Sequence, residues 1–186
     1  MIAALILAAG TSSRMKGIKQ LLEVGDETML QRVVDTALGS QADEVVVVLG
    51  YRSDEIRERI RFRSAKVVFS RDYMKGMSAS LRSGLGALRD DVEAVVVLLA
   101  DQPLVPPGVV DALIEVYKRS RKRIVIPVSE GVRRNPVLME LTLRGEILEV
   151  EGDVGAKPVI DRHKDEIAEV EIPNASFFAD VDTWKD

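Results

Sequence analysis

Continuous apolar runs alternate along this chain with segments whose apolar residues recur at helical spacing. The apolar runs predict strands at residues 2–8, 44–49, 66–69, 94–100 and 124–128. Helical spacing predicts helices at residues 28–38, 53–60, 78–88, 107–119 and 156–164. After residue 133 the pattern weakens, and short strands are expected at residues 136–139, 167–172 and 178–180. Strands and helices are therefore expected to alternate along the chain.

This alternation predicts a fold class. Strands of continuous Val, Ile and Leu are what a parallel sheet covered on both faces requires. With helices between the strands, the pattern predicts a doubly wound α/β domain with a mostly parallel sheet. No linker, repeat or low-complexity segment interrupts residues 1–186, so a single domain is expected. In such sheets ligands bind at the carboxyl ends of the strands, and candidate chemistry is expected there.

Composition excludes several classes of site and partner. The net charge is −4, which argues against nucleic acid as a general partner. The chain has no cysteine, so it holds neither disulfides nor thiolate metal sites. Its single histidine, His163, lies in a charged run and is expected at the surface. The apolar N-terminal run is too short for a membrane span or a signal peptide, so a cytoplasmic protein without a membrane partner is expected.

The first predicted strand ends in a loop of small residues, Ala9-Gly10-Thr11-Ser12-Ser13, followed by Arg14 and Lys19. Small side chains let backbone N–H groups approach an anion closely. Arg14 could bind phosphate oxygens through its planar fork, and Lys19 could act as a mobile point charge. Neither the Walker A pattern nor Gly-x-Gly-x-x-Gly is present. The loop predicts a polyphosphate site of another type, and the alternative is a turn with two solvated cations.

Carboxylates occur where a metal on such a polyphosphate would need them. Asp101 follows the most apolar predicted strand, and Asp180 and Asp182 would share a face of an extended C-terminal segment. Magnesium is typically bound by one or two carboxylates together with substrate phosphates and water. The alternative for Asp101 is an ordinary turn-forming aspartate.

Two further segments of small residues precede predicted helices. Ser78 is a candidate N-cap, with Ser80 in the first turn of the same helix. Ser53 is a candidate N-cap of the helix predicted at residues 53–60. A helix N-terminus with free N–H groups could hold an anion or the edge of a base, and the alternative is simple capping. The second segment, residues 151–157, has glycines on both sides of Asp153 and could bind a second anionic substrate. Its alternative is an ordinary glycine-rich turn.

The motifs LAAGTSSRM, KQLL, GMSASLRSGL, LADQPLV, NPVLM, GDVGAK and DVDT occur in this order between Leu7 and Thr183. Together they resemble the MobA-like nucleotidyltransferases, and most closely the branch of molybdenum cofactor cytidylyltransferases. The resemblance implies a Rossmann-like three-layer α/β/α sandwich of the nucleotide-diphospho-sugar transferase type. It also implies a reaction in which a substrate phosphate attacks the α-phosphorus of an NTP and pyrophosphate leaves.

The resemblance implies roles for particular residues. Arg14 would bind the β- and γ-phosphates, Lys19 would stabilise charge at the α-phosphate, and Asp101 would complete the catalytic set. The implied nucleotide-binding residues are Leu7, Ala8, Ala9, Gly10, Thr11, Arg14, Lys19, Ser78, Ser80 and Asp101. The implied ligands of Mg²⁺ are Asp101, Asp182 and Asp180. The implied acceptor-binding residues are Asn135, Gly152, Asp153 and Gly155.

The resemblance also implies substrates. Ala8-Ala9-Gly10 resembles the cytidylyl branch, whereas guanylyl relatives usually carry Gly-Gly there, so CTP is favoured over GTP. The implied acceptor is molybdopterin, and a molybdoenzyme is a candidate recipient of the product. Gly17 stands one place later than the family pattern has it, and Asn135 replaces a histidine of the relatives. The alternatives are another phosphorylated acceptor (a sugar phosphate, polyol phosphate or phospholactate) and a non-catalytic chaperone that binds a nucleotide or a pterin.

Overall fold

The computed structural model describes residues 1–11 and 17–181. Its strands are β1 (Ile2–Ala8), β2 (Glu23–Val24), β3 (Glu27–Thr28), β4 (Glu44–Leu49), β5 (Lys66–Phe69), β6 (Ala94–Leu99), β7 (Ile124–Ser129), β8 (Val132–Arg133), β9 (Val137–Glu140) and β10 (Ile167–Glu171). Its α-helices are α1 (Met29–Leu38), α2 (Ser53–Arg59), α3 (Met77–Leu85), α4 (Pro107–Ser120), α5 (Arg144–Glu149) and α6 (Lys157–Arg162).

The main sheet has the strand order β10-β7-β9-β6-β1-β4-β5, with β8 paired to β7, while β2 and β3 form a separate hairpin. Strand β1 lies between β4 and β6 and runs parallel to both. Strand β9 runs antiparallel to its neighbours β6 and β7. The sheet is therefore mixed but mostly parallel, as predicted.

Helices cover both faces of the sheet because the strands are apolar on both faces. Every residue of β1 is buried. Ile6 belongs to a core cluster with Leu30 of α1 and Leu113 of α4, whereas Leu5 belongs to a second cluster with Leu81 of α3. Burying one such leucine side chain stabilises the fold by about 1.5–3 kcal/mol. The two clusters form the interfaces of a three-layer α/β/α sandwich, which confirms the predicted fold class.

Several predicted elements differ from the structure. Residues 178–180 are not a strand, because Phe178 ends a 3-10 helix (Ala175–Phe178) and is buried against Val105 and Val109. Neither Ser53 nor Ser78 is an N-cap, because Arg52 and Gly76 occupy the cap positions of α2 and α3. Helix α5 was not predicted. Within the described residues, no helix is both long enough and apolar enough to cross a bilayer.

Candidate active site

A pocket of about 520 Å³ lies at the carboxyl ends of β1 and β6. Eight of the ten predicted nucleotide-binding residues line it: Leu7, Ala8, Ala9, Gly10, Thr11, Lys19, Ser80 and Asp101. Of the other two, Ser78 is not among the lining residues, and Arg14 lies outside the residues that the structure describes. The parallel strands β1 and β6 thus bring residues far apart in the sequence to one edge of the sheet.

Lys19 and Asp101 form an ion pair in this pocket. Lys19 begins a 3-10 helix (Lys19–Leu21), and Asp101 follows β6 by two residues. Lys19 Nζ donates to Asp101 Oδ2 at 3.2 Å, and the side chains keep 18% and 35% of their surface exposed. Both charged groups are therefore fixed near each other and remain accessible to a ligand in the pocket.

The end of β1 and the residues after it form the glycine loop, residues 8–11. Gln20 Nε2 donates to the carbonyl oxygens of Ala8 at 2.9 Å and of Gly10 at 3.1 Å. A Cβ atom added to Gly10 would meet no atom of the described residues within 4 Å, so these residues leave the space beside its backbone open. The loop can therefore accept a ligand close to its main chain, as a phosphate cradle requires. Sequence reasoning did not assign Gln20 a role, because spacing alone does not show where an amide side chain points.

The loop at residues 152–153, distant in the sequence, accepts hydrogen bonds from the N-terminus of α3. Met77 N donates to Asp153 Oδ1 at 3.0 Å, and Ser78 N donates to Gly152 O at 3.1 Å. These two N–H groups are therefore bonded to the loop at residues 152–153 and not to the Ser78 side chain that the capping alternative assigned. Ser80, one turn further on, lines the pocket.

The residues predicted to face the acceptor differ in their position relative to the pocket. Asp153 lines the pocket, and Gly152 lies so close to Gly76 that a Cβ on Gly76 would approach Gly152 O at 2.7 Å. Gly155 has a φ of +54° and packs against Met77. Asn135 precedes β9, two residues before Val137, which pairs with Val97 of β6. Asn135 therefore lies at the carboxyl edge of β6 but is not among the residues that line the pocket.

The C-terminal segment also reaches this edge. Val181 N donates to Asp101 O at 3.0 Å, and Gln102 Nε2 donates to Asp180 Oδ1 at 2.7 Å. Asp182 lies outside the described residues. Among residues 1–11 and 17–181, no group of three or more Asp, Glu or His side chains is arranged to hold a metal. Asp101, with Asp180 nearby, still fits a magnesium ion bound mainly by phosphates, because such an ion needs only one or two carboxylates.

His163 belongs to a separate charged network at the opposite, amino end of the sheet. Its side chain is only 18% exposed, and its ring nitrogens contact Glu146 at 2.8 Å and Glu166 at 2.9 Å. Hydrogen bonds to Glu166 and Glu146 raise the pKa of His163. Hydrogen bonds from Arg123 and His163 lower the pKa of Glu166 to about 2. His163 is less exposed than expected, and it does not line the pocket.

Comparisons with known proteins agree with this geometry. The MobA-like NTP transferase domain matches residues 4–167. The molybdenum cofactor cytidylyltransferase of Escherichia coli is 24% identical, over 98% of this chain and 91% of that protein. Nicotine blue oxidoreductase of Paenarthrobacter nicotinovorans is 26% identical, over 98% of this chain and 92% of that protein. The bifunctional protein GlmU of Staphylococcus carnosus is 29% identical, but the match spans 60% of this chain and 25% of GlmU.

Solved structures give the same result. Rv0371c of Mycobacterium tuberculosis superposes with a TM-score of 0.90 at 28% identity, covering 99% of this chain and 93% of Rv0371c. A manganese complex of Rv0371c superposes with a TM-score of 0.84 at 27% identity, covering 99% of this chain and 94% of Rv0371c. The family model spans most of the chain, and the pocket lies where its fold places a ligand. The chain therefore belongs to the MobA-like NTP transferase domain family of nucleotidyltransferases.

Proposed function

We propose that this protein transfers CMP from CTP, with GMP from GTP as the alternative, to a phosphorylated acceptor and releases pyrophosphate. The acceptor that we propose is molybdopterin or the molybdenum cofactor. The observation that carries the proposal is the accessible Lys19–Asp101 pair beside the open glycine loop. The full-length similarity to a molybdenum cofactor cytidylyltransferase supports the choice of CTP and of this acceptor.

The reaction needs no protein nucleophile. An oxygen of the acceptor phosphate forms a bond to the α-phosphorus, and the bond from that phosphorus to the α,β-bridging oxygen breaks. The bonding electrons leave with pyrophosphate. The glycine loop is proposed to offer backbone N–H groups to the phosphates, and Lys19, which lines the same pocket, to stabilise charge that develops at the α-phosphate. Arg14 is proposed to bind the β- and γ-phosphates.

Asp101 is proposed to hold Mg²⁺, with Asp182 and Asp180 contributing from the C-terminal segment. When bound, a divalent ion supplies positive charge that offsets the charge of the phosphates. The manganese complex of Rv0371c supports a divalent metal in this fold. Because Asp101 already pairs with Lys19, we propose that at least one of these two further carboxylates shares the ion with it.

Asp153, Gly152, Gly155 and Asn135 are proposed to face the acceptor. Of these, Asp153 lies in the pocket wall, where it also fixes the start of α3. Asn135 can donate and accept hydrogen bonds but does not titrate near neutral pH, so it would bind the acceptor without changing charge. A molybdoenzyme is the proposed recipient of the product.

Family membership alone does not decide the reaction, because nicotine blue oxidoreductase matches as much of this chain as the cytidylyltransferase does, 98% in each case. The deciding experiment incubates the protein with each of the four NTPs, Mg²⁺ or Mn²⁺, and molybdopterin. Sugar, polyol and phospholactate phosphates serve as competing acceptors. Pyrophosphate release and the mass of the product are measured.

We expect pyrophosphate release to be fastest with CTP and molybdopterin, with a product heavier than the acceptor by one CMP. Release with another phosphorylated acceptor alone would replace the proposed acceptor and keep the reaction type. Tight pterin binding without pyrophosphate release from any NTP would contradict the transferase proposal and favour a chaperone.

A further inference from the structure

The side chain of Gln20 joins the glycine loop to the short helix that carries Lys19. Both hydrogens of its amide nitrogen are used, because Nε2 donates to Ala8 O at 2.9 Å and to Gly10 O at 3.1 Å. Gln20 is only 5% exposed, so these bonds are largely shielded from water. A single carboxamide thus holds two of the carbonyl groups that flank Ala9.

The carbonyl oxygens of the glycine loop would be unfavourable neighbours for a phosphate. A carbonyl oxygen carries partial negative charge and repels an anion, whereas an N–H group attracts one. Ala9 O accepts a longer hydrogen bond, of 3.4 Å, from Tyr51 N. The carbonyls of Ala8, Ala9 and Gly10 are therefore each directed to a donor of this chain.

The bond to Gly10 O also fixes the next N–H group. In a planar trans peptide the C=O and N–H bonds point in opposite directions, so Thr11 N–H points away from Gln20. Gly10 has no side chain, and no atom of the described residues lies within 4 Å of where its Cβ would be, so neither restricts rotation of this peptide. A rotated peptide would present an oxygen where an N–H group now lies.

We propose that Gln20 is a positioning residue, which keeps the Gly10–Thr11 peptide in the orientation that offers its N–H group to the nucleotide phosphates. Gln20 follows Lys19 directly, so the same 3-10 helix carries both the lysine cation and the side chain that holds this peptide. The inference rests on the proposed function, since it takes the glycine loop as the phosphate site. It adds a residue whose effect on the substrate is indirect.

The test compares two glutamine-to-methionine variants, which remove amide hydrogen bonds while nearly keeping side-chain length. Gln20→Met removes both loop bonds. The matched control is Gln31→Met, because Gln31 is 1% exposed and its Nε2 also donates to two acceptors, Asp35 and Arg61 O, outside the pocket. Binding of inorganic tripolyphosphate is measured by calorimetry, and folding by the melting temperature. The probe contains no base and no acceptor group.

We expect Gln20→Met to weaken tripolyphosphate binding about tenfold or more, the effect of losing two oriented hydrogen bonds, while Gln31→Met binds as the wild type does. Equal binding by Gln20→Met and wild type would overturn the inference and leave the proposed function standing. Equal loss in both variants would also overturn it. Failure of the wild-type protein to bind tripolyphosphate would contradict the inference and the proposed function together.

A second measurement needs no variant. In the wild-type protein, the Thr11 amide proton is expected to shift downfield in the NMR spectrum when tripolyphosphate is added, because it enters a charge-assisted hydrogen bond. An unchanged Thr11 resonance at saturating tripolyphosphate would overturn the inference.

A third experiment replaces Gln20 by Glu, which has a side chain of the same size but lacks the two N–H donors. We expect Gln20→Glu to bind tripolyphosphate more weakly than wild type. Wild-type binding by this variant would also overturn the inference.

Discussion

Charged side chains pair at both ends of the sheet, but the two ends use them differently. At the amino end, Arg123, His163, Glu146 and Glu166 bond to one another, and His163 engages carboxylates through both ring nitrogens. At the carboxyl end, the Lys19–Asp101 pair faces a pocket. The first arrangement satisfies its members within the chain, whereas the second leaves charges that a ligand can still engage. Pairing alone therefore does not distinguish a structural charge from a functional one.

Loss of the pocket carboxylate is expected to have the largest effect. Asp101→Ala should lower metal-dependent pyrophosphate release by about 1,000-fold, because it removes the proposed metal ligand at the reacting phosphates. The fold should persist, since the Asp101 side chain is 35% exposed. Turnover and melting temperature are measured together, with Asp90→Ala as a control at an exposed aspartate outside the pocket. Unchanged turnover in Asp101→Ala would disprove the metal assignment.

Loss of the Lys19 cation is expected to have a smaller effect, and one that is selective for turnover over nucleotide binding. Lys19→Ala should lower kcat by about 100-fold, the cost of one donor directed at developing charge, while the nucleotide Kd changes much less. The kcat is measured by pyrophosphate release and the Kd by calorimetry, and Lys118→Ala, an exposed change on α4, serves as control. A variant that binds nucleotide poorly but turns over normally at saturation would contradict a transition-state role.

Gly76 lies in close contact with Gly152, one of the proposed acceptor-binding residues, and a substitution there tests how much this contact contributes to stability. Gly76 has a φ of +99°, and a Cβ there would approach Gly152 C and O at 2.7 Å. Gly76→Ala should destabilise the fold by about 1–3 kcal/mol, since both the backbone conformation and the close approach oppose it. The free energy of unfolding is measured in urea. Gly145→Ala is the control, because a Cβ there meets no atom within 4 Å, and stability at or above wild type is expected for it.

The amino-end network is expected to give the smallest effect, visible only as a dependence on pH. The pKa of His163 is raised from 6.5, so its stabilising contribution is present below pH 6.5 and is lost as the pH rises through the raised value. The pKa of Glu166 is lowered from 4.5 to about 2, so its contribution is present above pH 4.5 and is lost in more acidic solution.

His163→Gln should therefore lower the melting temperature most between pH 4.5 and 6.5, and less as the pH rises. Differential scanning calorimetry of both proteins across this range measures the difference. Pyrophosphate release should be unchanged, because His163 lies outside the pocket. A melting-temperature difference that stays constant with pH, or a loss of turnover, would remove the distinction between the two ends of the sheet.

The sequence predicted the fold well where apolar runs are continuous. Strands β1 and β4 have the predicted ends, because buried parallel strands need unbroken apolar residues. Strand β5 also has the predicted ends, although it lies at the edge of the sheet and none of its residues is buried. The sequence pattern failed where a distant partner decides the local structure. Phe178 looked like part of a strand but is held by Val105 and Val109. The N-cap of α2 is Arg52, in a left-handed conformation, whereas the sequence pattern favoured the neighbouring Ser53 because serine is a common N-cap residue.

The candidate site shows the same limit. Small residues, cations and an aspartate at strand ends could be found by pattern, and the structure places Gly10, Lys19 and Asp101 around one pocket. The partners of these residues could not be found that way. No local signal links Met77 to Asp153 or Gln20 to Gly10, because those hydrogen bonds depend on how loops fold back onto the sheet.

The Lys19–Asp101 ion pair has a thermodynamic consequence for how ligands bind. An anion that draws Lys19 away leaves the Asp101 carboxylate without the positive charge that partly neutralises it, and this favours binding of a cation at Asp101. By reciprocity, a cation on Asp101 strengthens the attraction of Lys19 for an anion by the same factor. Either ligand alone competes with the existing pair at 3.2 Å, whereas the two together replace it. The pocket is therefore expected to bind a nucleotide and a divalent ion cooperatively, and to discriminate against either one arriving alone.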